Sequence, residues 1–194
     1  MSLKSPRDKL LDAAIEYTSA HGMGDLSLRA LAAALGTSHR MLIHHFGSKE
    51  GLWVAIVQEV ERRQRELLGA MLPDPSGSLE DATWTWWKHI SDPSLWPNER
   101  LFFELYGQAL QGRPHTAAML DGIVDSWLDP ITEINVAVGV PREAARAHAR
   151  LGIAVTRGLL LDLLATRDVE GVDAAMRAFI DVYAEWLQRA AAGG

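Results

Sequence analysis

An all-α protein of about nine helices is what this sequence predicts, and three observations carry the prediction. Apolar residues recur at i, i+3, i+4 and i+7, and no stretch shows the strict alternation of a half-buried strand bounded by hairpin residues. Serine, proline and glycine fall where helices of ordinary length start and stop. The 194 residues are 48% hydrophobic, enough to close a sizeable core around such helices.

The elements follow in order. A first helix spans about Pro6 to Ala20, with Leu10, Leu11, Ala14, Ile15 and Thr18 as its buried stripe and Gly22 as its stop. Ser27 caps a short second helix, Leu28 to Ala34, which Gly36 breaks. Ser38 caps a third, about His39 to His45, ended by Gly47. Ser48 opens a long fourth helix from Lys49 to about Met71. The run from Pro73 to Gly77 is a turn-rich break. A fifth helix covers Leu79 to Ile90, and a second break runs from Asp92 to Pro97. A sixth covers Asn98 to Gln111. A seventh follows Gly112-Arg113-Pro114 and runs to Val138, with a kink at Pro130. Pro141 stands at the first position of an eighth, which lasts to Thr166, and Asp168 caps a ninth that ends near Ala190.

Composition narrows the chemistry. With no cysteine, disulfide frameworks, zinc-thiolate sites and cysteine nucleophiles are excluded. The longest apolar run, Gly158 to Ala165, is interrupted by Asp162 and falls short of a membrane span, and no signal-peptide core is present, so the expected location is cytoplasmic. The net charge is −6, but it is unevenly spread. Residues 1–50 hold six Lys/Arg against five Asp/Glu, whereas the rest hold thirteen against twenty. From Ser27 to Lys49 there is no acidic residue, while Arg29, His39, Arg40, His44, His45 and Lys49 all fall there. A basic window on an acidic chain is what local contact with phosphates requires.

The second and third helices are joined by Leu35-Gly36-Thr37-Ser38, the spacing of a helix-turn-helix. Leu28, Leu31, Ala32, Leu35 and Leu42 lock the pair, which leaves His39, Arg40, Met41 and His44 on the outer face of the third helix. A helix presented in this way fits the major groove of B-DNA. At this point the chain resembles a known family. From about Ser5 to Arg65 it is similar to the DNA-binding domain of TetR-type regulators. The likeness is carried by Leu26-Ser27-Leu28-Arg29-Ala30-Leu31-Ala32, by the Leu35-Gly36-Thr37-Ser38 turn, and above all by His45-Phe46-Gly47-Ser48-Lys49-Glu50-Gly51-Leu52.

The resemblance implies a helix-turn-helix DNA-binding domain over 5–65, its motif at about 27–46, and an effector-binding and dimerisation domain over 66–194. It implies phosphate contacts by Ser27, Thr37, His45 and Lys49. With the exposed positions, the expected DNA-facing set is Ser27, Arg29, Thr37, Ser38, His39, Arg40, Met41, His44, His45 and Lys49. Capping alone also accounts for Ser27, Ser38 and Ser48. Two positions depart from the family pattern: Arg40 stands where a small residue is usual, and Ile43 where a phosphate-contacting tyrosine is usual. The tyrosine contact is not carried over. Arg40 is instead expected to read guanine.

In the body, Leu151, Ala154, Val155, Gly158, Leu159, Asp162 and Leu163 of the eighth helix and Val172, Met176, Phe179, Ile180, Tyr183, Trp186 and Leu187 of the ninth form wide, mostly apolar faces. The family pairs these helices across a homodimer, and two-fold pairing places two reading helices on half-sites about 34 Å apart in a palindromic operator. These stripes serve the core as well as a dimer seam. Aromatic residues crowd the fifth to seventh helices, and an effector pocket lined by Trp84, Trp87, Phe103, Tyr106, Met119 and Trp127 is expected to take a small hydrophobic or planar molecule. Plain core is the alternative for each ring. No cofactor or metal is expected: His44 and His45 are adjacent, and His39 and His44 are not at the i, i+4 spacing of helical metal pairs. No phosphate loop, nucleophile elbow or carboxylate-histidine motif supports an enzyme. Two other readings are a helical adaptor that has lost DNA binding and, more remotely, a small all-α enzyme.

Overall fold

The computed structural model describes residues 4–22, 26–70 and 78–192. These residues form nine α-helices and two 3-10 segments, with no strand among them, as the sequence predicts. The helices are α1 (Pro6–His21), α2 (Leu28–Ala34), α3 (His39–Phe46), α4 (Lys49–Ala70), α5 (Leu79–Ile90), α6 (Trp96–Leu110), α7 (Asp125–Ala137), α8 (Arg142–Thr166) and α9 (Val169–Ala192). The predicted end of the fourth helix at Met71 lies outside the described residues. No helix here is long and apolar enough to cross a membrane.

Two boundaries differ from expectation for local reasons. The helix predicted to run from Pro114 to Val138 is instead a 3-10 segment at Pro114–Met119 followed by a separate α7. Gly122 intervenes with φ +69°, a conformation that ends one helix and that glycine adopts without steric cost. α7 then continues through Pro130, the sixth of its thirteen residues. α6 begins at Trp96, not Asn98, because Pro97 sits in its first turn, where the missing N–H would have no helical partner anyway. Pro141 is the cap residue of α8 and not its first helical residue.

The chain folds into two compact units. One comprises α1 to α3, α4 as far as Gln64, and residues 93–121; the other comprises Arg65–Asp92 and the chain from Gly122 onward. Residues 93–121, read from the sequence as part of the larger body, pack with the N-terminal helices. The core of this first unit is apolar: Leu11, Ala14 and Ile15 of α1, Leu31 of α2, Leu42 of α3, Leu52 and Ile56 of α4, and Leu101 and Leu105 of α6 are all buried. Polar bonds add to it. Asn98 Nδ2 donates to Ser19 Oγ at 3.0 Å, and Gln64 Nε2 donates to the buried Glu99 carboxylate at 2.9 Å.

An ion network ties α1 to α4 within this unit. Glu59 accepts from Arg62 and Arg63 at 2.8 Å, Asp12 accepts from Lys4 at 2.7 Å, and Arg63 also donates to Asp12. The hydrogen bond from Arg62, then that from Arg63, hold the Glu59 carboxyl at about 2 against the opposing effect of burial, from an ordinary value of 4.5. Asp12 is lowered too, first by its bond from Lys4. Carboxyls whose folded pKa lies below the unfolded value stabilise the fold fully above the unfolded value and lose that contribution as pH falls toward the folded one. The first unit should therefore weaken between about pH 5 and pH 2. Because the arginines are about half exposed, Glu59 should account for only ~1–2 kcal/mol of that loss. Urea midpoints of the wild type and Glu59→Gln, taken from pH 7 down to pH 3, should converge at the acid end. Parallel curves would refute the assignment.

In the second unit, Trp127, Leu128, Ala149 and Ile153 form one core cluster, with Leu68, Trp86, Val124 and Ile131 packed on it. Val140, Ala145, Tyr183 and Leu187 form another. Asn135, 1% exposed, bridges α7, α8 and α9: its Nδ2 donates to the Ala145 carbonyl at 3.2 Å and to the Tyr183 hydroxyl at 3.0 Å. Burial pushes the Tyr183 phenol above its ordinary range, only partly offset by that bond. α5 is fastened to α9 by Asp173, which accepts from Trp87 Nε1 at 2.7 Å and from Lys88 Nζ at 2.8 Å.

Candidate nucleic-acid interface

The pair α2 and α3 is assembled by caps that the sequence supplies. Ser27 Oγ accepts from the Ala30 N–H at 3.1 Å and Ser38 Oγ from the Met41 N–H at 3.2 Å. Between them the chain turns through a Schellman motif. Gly36, with φ +63°, donates its N–H to the Ala33 carbonyl at 3.2 Å, and Thr37 donates to the Ala32 carbonyl at 2.9 Å. Gly47, at φ +78°, ends α3, and Ser48 Oγ receives the Gly51 N–H at 2.9 Å to start α4.

Of the eight residues of α3, only Leu42 and Phe46 are buried. His39, Arg40, Met41 and His44 are exposed, as are Ser27, Arg29 and Ser38; Thr37, His45 and Lys49 are half-buried. Two side chains qualify this picture. The Nε2 atom of His45 is buried without a hydrogen-bond partner, so a contact by that atom to DNA needs the ring to turn. The Lys49 ammonium lies 5.8 Å from the centre of the Trp53 ring. Arg7, absent from the sequence-based set, places its guanidinium carbon 5.1 Å over the ring of Phe46.

The helix ends carry an electrostatic signature. α1 and α4 to α9 each have an acidic residue in the first turn, which suits the positive end of the helix dipole. α2 and α3 have none, and their first turns hold Arg29 and His39-Arg40 instead. Lys49 likewise opens α4, where a cation is disfavoured. These positive ends gather on one short stretch of chain, an arrangement that suits an external anion.

The residues expected to line an effector pocket fall in both units. Phe103, Tyr106 and Met119 belong to the first, where Phe102 stacks on Tyr106 with centroids 5.6 Å apart and Met119 is 1% exposed. Trp84, Trp87 and Trp127 belong to the second. Trp87 is 1% exposed, and Trp84 lies 3.6 Å beneath the Arg177 guanidinium. Trp127 packs against Trp86 at 5.9 Å, with Arg65 5.7 Å from its ring centre. Among the described residues no cluster of three or more histidines and carboxylates could hold a metal.

Known proteins match this arrangement. Residues 10–56 match the family described as bacterial regulatory proteins, tetR family. The chain is 29% identical to the HTH-type transcriptional regulatory protein RaaS of Mycobacterium tuberculosis, over 92% of this chain and 85% of RaaS. It is 32% identical to the HTH-type transcriptional repressor AcnR of Corynebacterium glutamicum, over 39% of this chain and 41% of AcnR. The fold is shared with a transcriptional regulator from Rhodococcus sp. Rha1, at a TM-score of 0.73 and 17% identity, with 93% of this chain and 97% of that one covered. Residues 10–56 thus carry the N-terminal domain of the tetR family of bacterial regulatory proteins, and the chain as a whole is similar to an HTH-type transcriptional regulator and shares the fold of another.

Proposed function

We propose that this regulator is a homodimeric repressor that reads a palindromic operator through α3 and is released from it by a small hydrophobic or aromatic effector. The observation that carries the reading is the outer face of α3: His39, Arg40, Met41 and His44 stand exposed on a helix anchored by Leu42 and Phe46, in a segment free of acidic residues. The repressor sense follows the name of AcnR, which matches 39% of the chain.

Dimerisation is supported by apolar surface on α8 and α9. Leu151, Ala154, Gly158 and Leu161 are exposed at helical spacing along α8, and Ala178, Val182 and Trp186 along α9. Contiguous exposed apolar side chains of this kind mark an interface. An effector that binds the operator-incompetent state better by a few kcal/mol would suffice to switch it.

Selection of duplexes from a random pool by the purified chain should enrich a palindrome, and log K for it should fall steeply with log salt. No enrichment with a flat salt dependence would favour the adaptor that has lost DNA binding. Within the selected site, Arg40→Ala should cost ~1–3 kcal/mol against the preferred base at one position per half-site and leave the others unchanged. Binding measured on duplexes substituted one base pair at a time checks this. An equal loss on every duplex would make Arg40 a backbone contact.

A further inference from the structure

We propose that Arg7 is a phosphate contact outside the helix-turn-helix, seated on the ring of Phe46 at the C-terminal flank of the reading helix; the inference rests on DNA binding by α3. An unbroken row of rings runs along that flank. The centroids of His44 and His45 are 5.0 Å apart, those of His45 and Phe46 6.2 Å, and the Arg7 guanidinium carbon lies 5.1 Å over Phe46. Arg7 is thus carried from α1 to the end of α3.

Its charge is available there. Lys4 is bound to Asp12, and Arg62 and Arg63 to Glu59, at 2.7–2.8 Å. The ion partner of Arg7 is Asp8 at 4.0 Å, and that carboxylate is already engaged by the Ser5 hydroxyl at 2.7 Å in the α1 capping box. The Arg7 side chain is 47% exposed. A guanidinium over an aromatic face keeps its N–H edge open, so the ring orients the cation without neutralising it. Lys49 is held over Trp53 in the same manner at the start of α4. Two ring-seated cations therefore bracket the corner between α3 and α4. A major groove about 12 Å wide presents phosphates along both walls, and a pre-oriented guanidinium binds phosphate bidentately with little ordering cost.

The test measures fluorescence anisotropy of the full chain on its selected duplex from 50 to 200 mM salt. Arg7→Gln should weaken binding roughly tenfold, equally on selected and random duplexes, and make the slope of log K against log salt shallower by about 0.9 per subunit. Arg7→Lys keeps the charge and should keep the slope, with a smaller loss of affinity. Arg62→Gln, which removes a cation committed to Glu59, should leave the slope unchanged. A wild-type slope for folded Arg7→Gln, or an equal change of slope for folded Arg7→Lys, would overturn the proposal. If Arg7→Gln fails to fold by circular dichroism, Arg7→Ala, which also removes the charge from this 47% exposed side chain, takes its place with the same expected change of slope, and a wild-type slope for it overturns the proposal. A wild type that binds no duplex sinks the repressor reading instead.

Discussion

Trp87→Ala is expected to destabilise the second unit by ~3–5 kcal/mol, the cost of emptying a fully buried aromatic site. The indole is 1% exposed and its N–H donates to Asp173 on α9 at 2.7 Å. Its removal therefore opens a cavity and also frees one side of the fastening between α5 and α9. Trp87→Phe refills most of the volume but leaves Asp173 with Lys88 as its remaining partner in this pair of bonds, and should cost only ~1–2 kcal/mol. Urea unfolding followed by circular dichroism measures both. Equal costs for the two variants would mean that the hydrogen bond, not the ring, holds the contact. A loss below 1 kcal/mol for alanine would show that the site is loosely filled. Trp87 is therefore part of the core of the second unit.

Leu42→Ala should have a comparable effect on the first unit, ~2–5 kcal/mol, and a wider effect on function. Leu42 is 0% exposed and shares with Phe46 the whole inward anchorage of α3. With one anchor gone, the reading helix loses the fixed orientation that lets its side chains meet base edges. Affinity should fall on every duplex, measured at a temperature where the variant remains folded. Arg40→Ala, by contrast, changes the preference at one base pair. Should Leu42→Ala bind its selected duplex with wild-type affinity, α3 is not the element that reads DNA.

The legible parts of the molecule were local ones. Ser27, Ser38 and Ser48 cap helices because a hydroxyl three residues ahead of an N–H can reach it, and each of those bonds is present. Gly36 marked the interhelical turn because its positive φ closes the Schellman bonds without the steric cost a Cβ would add. The lack of acids in the first turns of α2 and α3 could also be read directly from the chain. The helix predicted after Pro114 is interrupted for an equally local reason: Gly122, at φ +69°, separates the 3-10 segment from α7.

What the chain determined alone is its all-helical order and the exposed, acid-free face of α3, since caps, turns and helical periodicity act over a few residues. Tertiary packing alone decided that residues 93–121 join the N-terminal helices, that Trp87 reaches Asp173, and that Arg7 settles over Phe46. Each of these depends on side chains far apart in sequence that meet only when apolar surfaces are buried together. No periodicity within a single helix records which partner that burial selects.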